Sequence, residues 1–171
     1  MPLSLLMPVI GSCLAMRVMA PPPQAVEIDR TVEHVYGTAI MASDMRQAKQ
    51  LRLLPDAGES DNRVLTALEN RLLLLREVGR QATPISPAPA AIAARRQAWA
   101  GSWPAGTDVA AVLRTAGMTD QALDGWFRDD LRIAAYIDLR FGASADEARA
   151  TRVAEWIAEL RRRANLSDRL R

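Results

Sequence analysis

The stretch EIDRTVEHVYGTAIMASDM, residues 27–45, stands out in a chain that is otherwise rich in helix-forming Ala, Leu and Arg. Ile28, Val32 and Tyr36 fall on one face of an extended segment at a period of two, although two basic residues interrupt that face. Acidic residues and a threonine occupy the other face. This pattern is typical of a half-buried β-strand.

The residues that follow this strand predict a β-hairpin and then a helix. Tyr36 and Gly37 allow a tight reversal, and residues 38–41 return as a second strand. Ser43 is a favourable N-cap for a helix that begins at Asp44. Because a lone hairpin is only marginally stable in water, we expect this one to pack on helices.

Downstream residues repeat with helical spacing. Asp61 is the expected N-cap of a helix in which leucines repeat at steps of three and four, and Gly79 is its expected C-terminal stop. Additional leucines between them indicate that this helix is buried on most sides. An Ala-rich helix over residues 89–100 follows. Thr107 is the expected N-cap of a short helix, and Thr119 is the expected N-cap of a long one that serves as the central strut. The apolar stripe of that long helix comprises Leu123, Phe127, Leu131, Ala134, Ile137 and Phe141.

The last helix has its own start signal and apolar face. Ser144 and Glu147 have the spacing of a capping box. An apolar stripe follows, made of Val153, Trp156, Ile157, Leu160 and Ala164. The predicted fold is therefore mainly α, with about five to six helices, a short N-terminal β-hairpin and a C-terminal helix packed back on the core.

Composition limits the class of protein. Hydrophobic residues make up 49% of the 171 residues and charged residues 25%, which is ordinary for a globular protein and excludes disordered and multi-span membrane classes. We expect one domain over residues 26–171. The formal net charge of +2 gives no indication of nucleic-acid binding.

The residues that usually carry chemistry are scarce. The chain has one cysteine, Cys13, in an N-terminal apolar run, and one histidine, His34, in the predicted hairpin. A zinc site or a Cys–His or Ser–His–Asp centre is therefore not expected. The sequence also lacks an EF-hand loop and a Gly-rich phosphate loop. We expect no metal, no cofactor and no enzyme activity.

The N-terminus has the pattern of an export signal. Residues 3–16, LSLLMPVIGSCLAM, form an apolar run of the length of a signal-peptide core, and PPPQA follows. The run is too short to span a bilayer comfortably. We expect residues 1–25 to direct export, with cleavage after Ala20 or Ala25. Acylation at Cys13, in a loose lipoprotein box, and an ordinary buried segment are the alternatives.

The order of these elements resembles a known family. A hairpin DRTVEHVYGTAIMASDM, a helix, a Leu-rich helix ALENRLLLLREVGR and a helix LDGWFRDDLRIAAYIDLRFG together resemble the N-terminal chaperone domain of the SurA family. The segment WIAELRRRANL is similar to the one that returns to that domain in many members. The resemblance runs from about Val26 to Leu166.

This resemblance implies a function. In the family, the domain binds extended, unfolded segments of outer-membrane proteins in the periplasm, and parvulin-type prolyl isomerase domains are commonly inserted before the last helix. Here only GASADEARATR lies between Phe141 and Val153, which is too short for such a domain. The resemblance therefore implies a periplasmic chaperone-like module that binds unfolded polypeptide without isomerase activity. Tyr36 stands where the family often has Asn, which leaves the turn type open.

Four large side chains are candidates for peptide binding: Met41, Met45, Trp99 and Trp103. Trp103 lies in the GSWPAG loop, and loops present side chains outward. The two methionines lie at the junction of hairpin and helix, and methionine adapts to varied apolar partners. The alternative for the tryptophans of the chain is that they fill the core.

Two charged clusters have simple interpretations. Asp129 and Asp130 lie beside Arg128 and Arg132, which indicates a solvated helix face with local ion pairs, and an acid–base pair is the alternative. Residues 161–163, RRR, are expected on the polar side of the final helix, and contact with phosphate or lipid head groups is the alternative.

Two functions besides the chaperone remain open at this point. One is a structural or assembly protein of the envelope that uses the same surface for one fixed partner. The other is an isomerase or hydrolase, which the missing catalytic residues disfavour. For the chaperone, we expect apolar side chains of the client to enter a groove between the hairpin and the helices, with strand addition along the hairpin edge as a further possibility.

Overall fold

The computed structural model describes residues 29–54, Gly58, 60–143 and 146–166. Within these ranges it contains two strands, β1 (Thr31–Val35) and β2 (Thr38–Met41), and six helices. The helices are α1 (Ala42–Gln50), α2 (Asp61–Gly79), α3 (Pro89–Gly101), α4 (Val109–Ala116), α5 (Asp120–Phe141) and α6 (Glu147–Arg163). The predicted fold class is confirmed. The export segment 1–25, with Cys13 and both cleavage sites, and Ile28 lie outside the described residues.

The hairpin turns through two residues. Val35 pairs with Thr38, and both Tyr36 (φ 49°) and Gly37 (φ 83°) have left-handed backbones, as in a type I′ turn. This turn matches the right-handed twist of the flanking strands, so the two strands pair as an antiparallel ladder. The guanidinium of Arg76, on α2, lies 3.8 Å from the centre of the Tyr36 ring and holds the turn against the helices.

The predicted face of β1 is partly wrong. Tyr36 is 46% exposed, and Val35 is buried in its place. A bulge between Thr31 and Glu33 shifts the register, so Val32 and Val35 both contact the core although they are three residues apart. A simple period of two cannot represent this extra residue.

The predicted cap of α1 is also wrong. The helix begins at Ala42, and the Asp44 carboxylate accepts a hydrogen bond from the N–H of the N-cap residue, Met41, at 2.8 Å. Ser43 instead donates from its N–H (3.1 Å) and its hydroxyl to the carboxylate of Asp29. Ser43 therefore ties the start of the hairpin to α1.

Four other caps can be compared with their predictions. Ser60, and not Asp61, is the N-cap residue of α2. Thr119 caps α5 as predicted, since its hydroxyl accepts from the N–H of Ala122. Asp108, and not Thr107, caps α4. Asp146 caps α6, so the capping box predicted from Ser144 is wrong, and Ser144 itself lies outside the described residues.

The central element is α2, and not α5 as predicted. It packs against α1, α5, α6 and both strands. Its buried apolar residues are Val64, Leu65, Leu68, Leu73, Leu74 and Val78. The prediction that this Leu-rich helix is buried on most sides is confirmed.

Two apolar clusters form the core. The first surrounds α2 and includes Val35 and Ile40 of the hairpin and Leu160 of α6. The second joins the end of α1 to the three middle helices and comprises Leu51, Leu53, Ile92, Trp99, Leu113, Leu123 and Phe127. Trp126 packs against both clusters, so α5 is the element that connects them.

The apolar stripe of α5 changes its course along the helix. Leu123 and Phe127 are buried as predicted, but farther along Tyr136 is buried and Ala134 is exposed. In this half α5 packs on α6, where the rings of Tyr136 and Trp156 lie 5.8 Å apart. The partner of the helix, and so its buried face, differs between its two halves.

A buried ion pair attaches α6 to α2. Glu69 is fully buried on α2, and its Oε2 lies 2.9 Å from Nη1 of Arg161 on α6. Arg161 also donates to Oδ1 of Asn70 at 2.9 Å. The prediction that the RRR run is a polar outer face is therefore wrong for Arg161. It holds for Arg162 and Arg163, which are exposed and both pair with Glu159 within the same helix.

We expect Arg161→Met to lower the free energy of unfolding by about 3–5 kcal/mol, because it leaves the carboxylate of Glu69 buried without its cationic partner. The double variant Glu69→Leu with Arg161→Met removes both charges and should recover most of this loss. Chemical denaturation followed by circular dichroism measures both. The control Arg163→Met, at an exposed position, should change stability by no more than about 0.5 kcal/mol. Equal stability of Arg161→Met and Arg163→Met would contradict the structural role of the pair.

Candidate functional site

A cleft of about 490 Å³ opens between β2, α1, α2 and α5, and we call it the hairpin cleft. Most of its wall is apolar. The apolar lining comprises Ala39, Ile40, Ala48, Leu68, Leu72, Leu75, Met118, Ala122 and Trp126. Its volume lies within the range of small-molecule pockets, and like them it is lined mainly by apolar side chains.

The local sequence explains why the cleft forms. Helix α1 follows β2 without an intervening loop, so the two elements make one continuous wall. The floor consists of Leu68, Leu72 and Leu75 of α2, whose spacing of four and three residues places them on one helix face. On the opposite wall, α5 contributes small residues, and a Cβ at Gly125 would meet no atom within 4 Å. The cleft is open there because this position has no side chain.

One buried cation stands in the polar part of the wall. Arg71 of α2 is only 9% exposed, and its guanidinium lies 3.8 Å from the centre of the Trp126 ring. It donates to the carbonyl oxygen of Trp126 at 2.9 Å and to the carboxylate of Asp130, and it lies 4.0 Å from Asp129. These contacts fix Arg71 as a link between α2 and α5.

The two neighbouring carboxylates of α5, Asp129 and Asp130, have different partners. Asp129 makes the predicted local ion pair, with Nη1 of Arg132 at 3.1 Å. The prediction of a solvated position is wrong for Asp130, which reaches across to Arg71 on another helix. Burial raises the pKa of the Asp130 carboxyl, and the positive charge of Arg71 opposes this shift only in part. Because Arg71 holds its carboxylate, Asp130 is a structural group.

The two predicted methionines lie at the edge of the hairpin, outside the hairpin cleft. Met41 is the N-cap residue of α1, and its sulfur lies 3.6 Å from the hydroxyl of Thr31. Met45 packs against the first core cluster and lines a separate groove with Val32 and Leu65.

The two predicted tryptophans lie together near α3. Trp99 is buried in the second core cluster, and its Nε1 donates to the carbonyl oxygen of Leu51 at 2.7 Å. Trp103 is half-buried, and its ring stands edge-on to Trp99 with the centres 6.0 Å apart. The structure thus brings Trp99 and Trp103 together but separates them from Met41 and Met45.

The lining of the hairpin cleft was missed by the sequence analysis. Ala39, Leu72, Gly125 and Trp126 are ordinary components of a strand or a helix, and nothing in their spacing shows that they meet. The one available signal was Gly125, since an isolated glycine inside a helical pattern costs stability and often has a packing or functional reason.

Comparison of the chain with protein-family models, with curated proteins and with solved structures finds no match. The resemblance to the SurA family therefore stays a prediction. None of the helices formed by the described residues is both long and apolar enough to cross a membrane. Across the same residues, no three His, Cys, Asp or Glu side chains come together as a metal-binding group.

Two carboxyl groups should influence the pH dependence of stability in opposite directions. The usual pKa of an aspartate is 3.8, and burial raises the pKa of Asp130 above it in the folded protein. The contribution of this shift to the stability of the folded state is therefore present below pH 3.8 and is lost as the pH rises through the higher folded-state pKa. Hydrogen bonds from Ser43 lower the pKa of Asp29, so its contribution is present above 3.8 and is lost as the pH falls through its lower folded-state pKa.

Urea unfolding of the unaltered protein and of the variants Asp130→Asn and Asp29→Asn, at a series of pH values, measures both pH dependences. The stability of the unaltered protein relative to Asp130→Asn should decrease as the pH rises above about 3.8. Its stability relative to Asp29→Asn should decrease as the pH falls below about 3.8. Slopes of the same sign for the two variants would contradict the assigned pKa directions.

Proposed function

We propose that this protein is an exported, chaperone-like module that binds extended, unfolded apolar polypeptide in the hairpin cleft. Its clients would be unfolded outer-membrane proteins in the periplasm, and it would lack prolyl isomerase activity. The single observation that carries this proposal is the apolar cleft between the hairpin and the helices.

The size and chemistry of the hairpin cleft suit weak, broad binding. Its volume accommodates a few apolar side chains of a client, and the flexible Met118 in its wall can adapt to different shapes. Each fully buried side chain contributes roughly 1.5–3 kcal/mol, and ordering of an unfolded chain offsets much of that gain. The expected dissociation constants are therefore about micromolar to millimolar.

The hairpin also offers backbone groups to an extended client. Among the described residues β2 pairs only with β1, and its other side lines the cleft. In a hairpin with a two-residue turn, the pair beside the turn is hydrogen-bonded and the next pair is not. The next pair here is His34 with Ala39, so the N–H and C=O of Ala39 point away from β1. An extended segment that adds along this edge would satisfy them.

The resemblance to the SurA family and the predicted export signal agree with this proposal. Both lead to the same compartment, although they rest on different parts of the chain, and the resemblance alone implies the kind of client. The resemblance started from a hairpin that is followed by a helix, and β1, β2 and α1 occur in this order.

A second candidate is an envelope assembly protein that binds one fixed partner in the same cleft. The polar groups of the wall favour this reading, since Asp44, Gln47 and Asp129 stand beside the apolar lining. A few fixed polar groups in an apolar site orient a ligand and make binding selective. Binding of many unrelated apolar peptides with similar affinity would favour the chaperone, and binding of one sequence alone would favour this alternative.

Filling the hairpin cleft should weaken peptide binding without loss of the fold. The substitution Gly125→Leu places a side chain in space that is open in the structure, and it replaces glycine by a better helix former. The matched control Gly125→Ala should raise stability by about 0.5–1 kcal/mol and leave most of the cleft open. Fluorescence anisotropy with labelled apolar peptides should show a loss of affinity of about tenfold or more for Gly125→Leu only, equivalent to about 1.4 kcal/mol. Unchanged binding by Gly125→Leu would rule out the cleft as the binding site.

Binding should not depend on proline in the client. Pairs of apolar peptides that differ only in one proline should bind with equal affinity, because the cleft buries side chains and the segment between α5 and α6 is too short for an isomerase domain. A prolyl isomerisation assay with the same peptides should show the uncatalysed rate. Acceleration of that rate by the purified protein would overturn the non-enzymatic assignment.

A further inference from the structure

A second concave surface lies on another side of α5. A groove of about 360 Å³ is formed by the end of α1, α3 and α5, and we call it the aromatic groove. Leu53, Trp99 and Phe127 contribute its apolar part, and Arg52, Arg95 and Asp130 contribute charge. It does not share a lining residue with the hairpin cleft.

The apolar wall of the aromatic groove is held in place. The rings of Trp99 and Phe127 lie 6.0 Å apart at 55°, and Trp103 supports Trp99 from one edge. The hydrogen bond from Trp99 Nε1 to the carbonyl oxygen of Leu51 fixes the orientation of the indole. A ligand side chain would therefore meet a preformed aromatic surface and would not have to order it.

The two arginines of the groove are available to a ligand. Arg52 and Arg95 are exposed, and neither forms an ion pair with a carboxylate of the described residues. Arg96, the neighbour of Arg95, contrasts with them because Asp120 and Asp124 hold its guanidinium. The guanidinium of Arg52 lies 4.4 Å from the centre of the Trp103 ring, and a cation over a ring face keeps its N–H edge free to donate.

The acidic group of the groove is already neutralised from another side. Asp130 contributes to the groove, but its carboxylate pairs with Arg71 of α2. The groove thus carries two arginines against one carboxylate, which Arg71 already pairs and on which Arg95 also acts electrostatically, so positive charge is in excess at its rim. The surface is complementary to a carboxylate that lies next to an apolar group.

We propose that the aromatic groove binds acidic side chains of an extended polypeptide that have an aromatic or aliphatic neighbour. The carboxylate would lie between Arg52 and Arg95, and the neighbouring side chain would pack on Trp99 and Phe127. The inference rests on the proposed function in taking polypeptide as the ligand. It adds a preference for acidic segments that the hairpin cleft, with Asp44 and Asp129 in its wall, does not supply.

Single-stranded nucleic acid also combines negative charge with stacking groups, but the molecule disfavours it. The net charge of the chain is only +2, which gives little attraction for a phosphate backbone. A carboxylate carries one charge and can stay at the arginine rim. The two ligand classes are separated in the experiment below.

The experiment uses three labelled peptides with amidated ends that share one Phe-containing sequence and differ at a single position, which is Glu, Gln or Lys. Amidation removes the terminal carboxylate, so only the side chain tests the arginines. Anisotropy titrations should give the order Glu, Gln, Lys from tightest to weakest. The double variant Arg52→Gln with Arg95→Gln should weaken the Glu peptide about three- to tenfold and leave the Gln peptide nearly unchanged, as expected for two rim ion pairs. The control Arg63→Gln removes an exposed charge on α2 outside the aromatic groove and should preserve the preference for Glu.

Each other outcome overturns this inference or the proposed function, and the two are distinguishable. Equal affinity for the Glu and Gln peptides, or a Glu preference that survives the double variant, overturns the aromatic groove alone. If the preference for Glu depends on both arginines and persists in Gly125→Leu, the aromatic groove is supported. This holds even if Gly125→Leu shows that the hairpin cleft binds no peptide, which would overturn the proposed function alone. Arginine-dependent binding of an oligodeoxythymidine in place of the Glu peptide would replace polypeptide by nucleic acid as the ligand.

Discussion

The burial of α2 is the constraint on which the rest of the structure depends. This helix has neighbours on almost every side, so the charged side chains that it buries need partners from other helices, because an unpaired buried charge is expensive. Glu69 meets Arg161 of α6, and Arg71 meets Asp130 of α5. Such pairs contribute little net stability compared with apolar residues, but they discriminate against arrangements that would leave the charges unpaired. The leucines of α2 drive the packing, and the two ion pairs select its geometry.

The position of α5 relative to α2 determines both candidate binding surfaces. Arg71 holds the middle of α5 through Trp126 and Asp130. On one side of this attachment, the small residues of α5 leave the hairpin cleft open, and on another side Phe127 and Trp99 form the aromatic groove. The same contact thus separates an apolar cleft with carboxylates in its wall from an aromatic groove with exposed arginines at its rim.

Two weak sites of different character would suit a protein that binds unfolded chains. An extended polypeptide presents apolar and charged residues in varied order, and two linked sites bind more tightly together than either does alone when one chain can reach both. Because each site buries only a few side chains, the client would still be released without an energy source. In this proposal, selectivity comes from charge at the two surfaces, and affinity comes from apolar burial.

The elements that depend on local spacing could be predicted from the order of residues alone. The type of each element, the burial of the Leu-rich α2, the cap at Thr119 and the docking of the last helix through Leu160 all followed from patterns within a few residues. Contacts between residues far apart in the chain could not be predicted in this way, because they depend on how the helices and the hairpin pack. Arg71 and Asp130 are 59 residues apart. Ser43 bonds to Asp29 and does not cap its own helix, because the hairpin brings Asp29 beside it. The hairpin cleft is the clearest case. It exists because β2, α1, α2 and α5 approach one another without filling the space between them, and the size of that space cannot be predicted from any one of these segments.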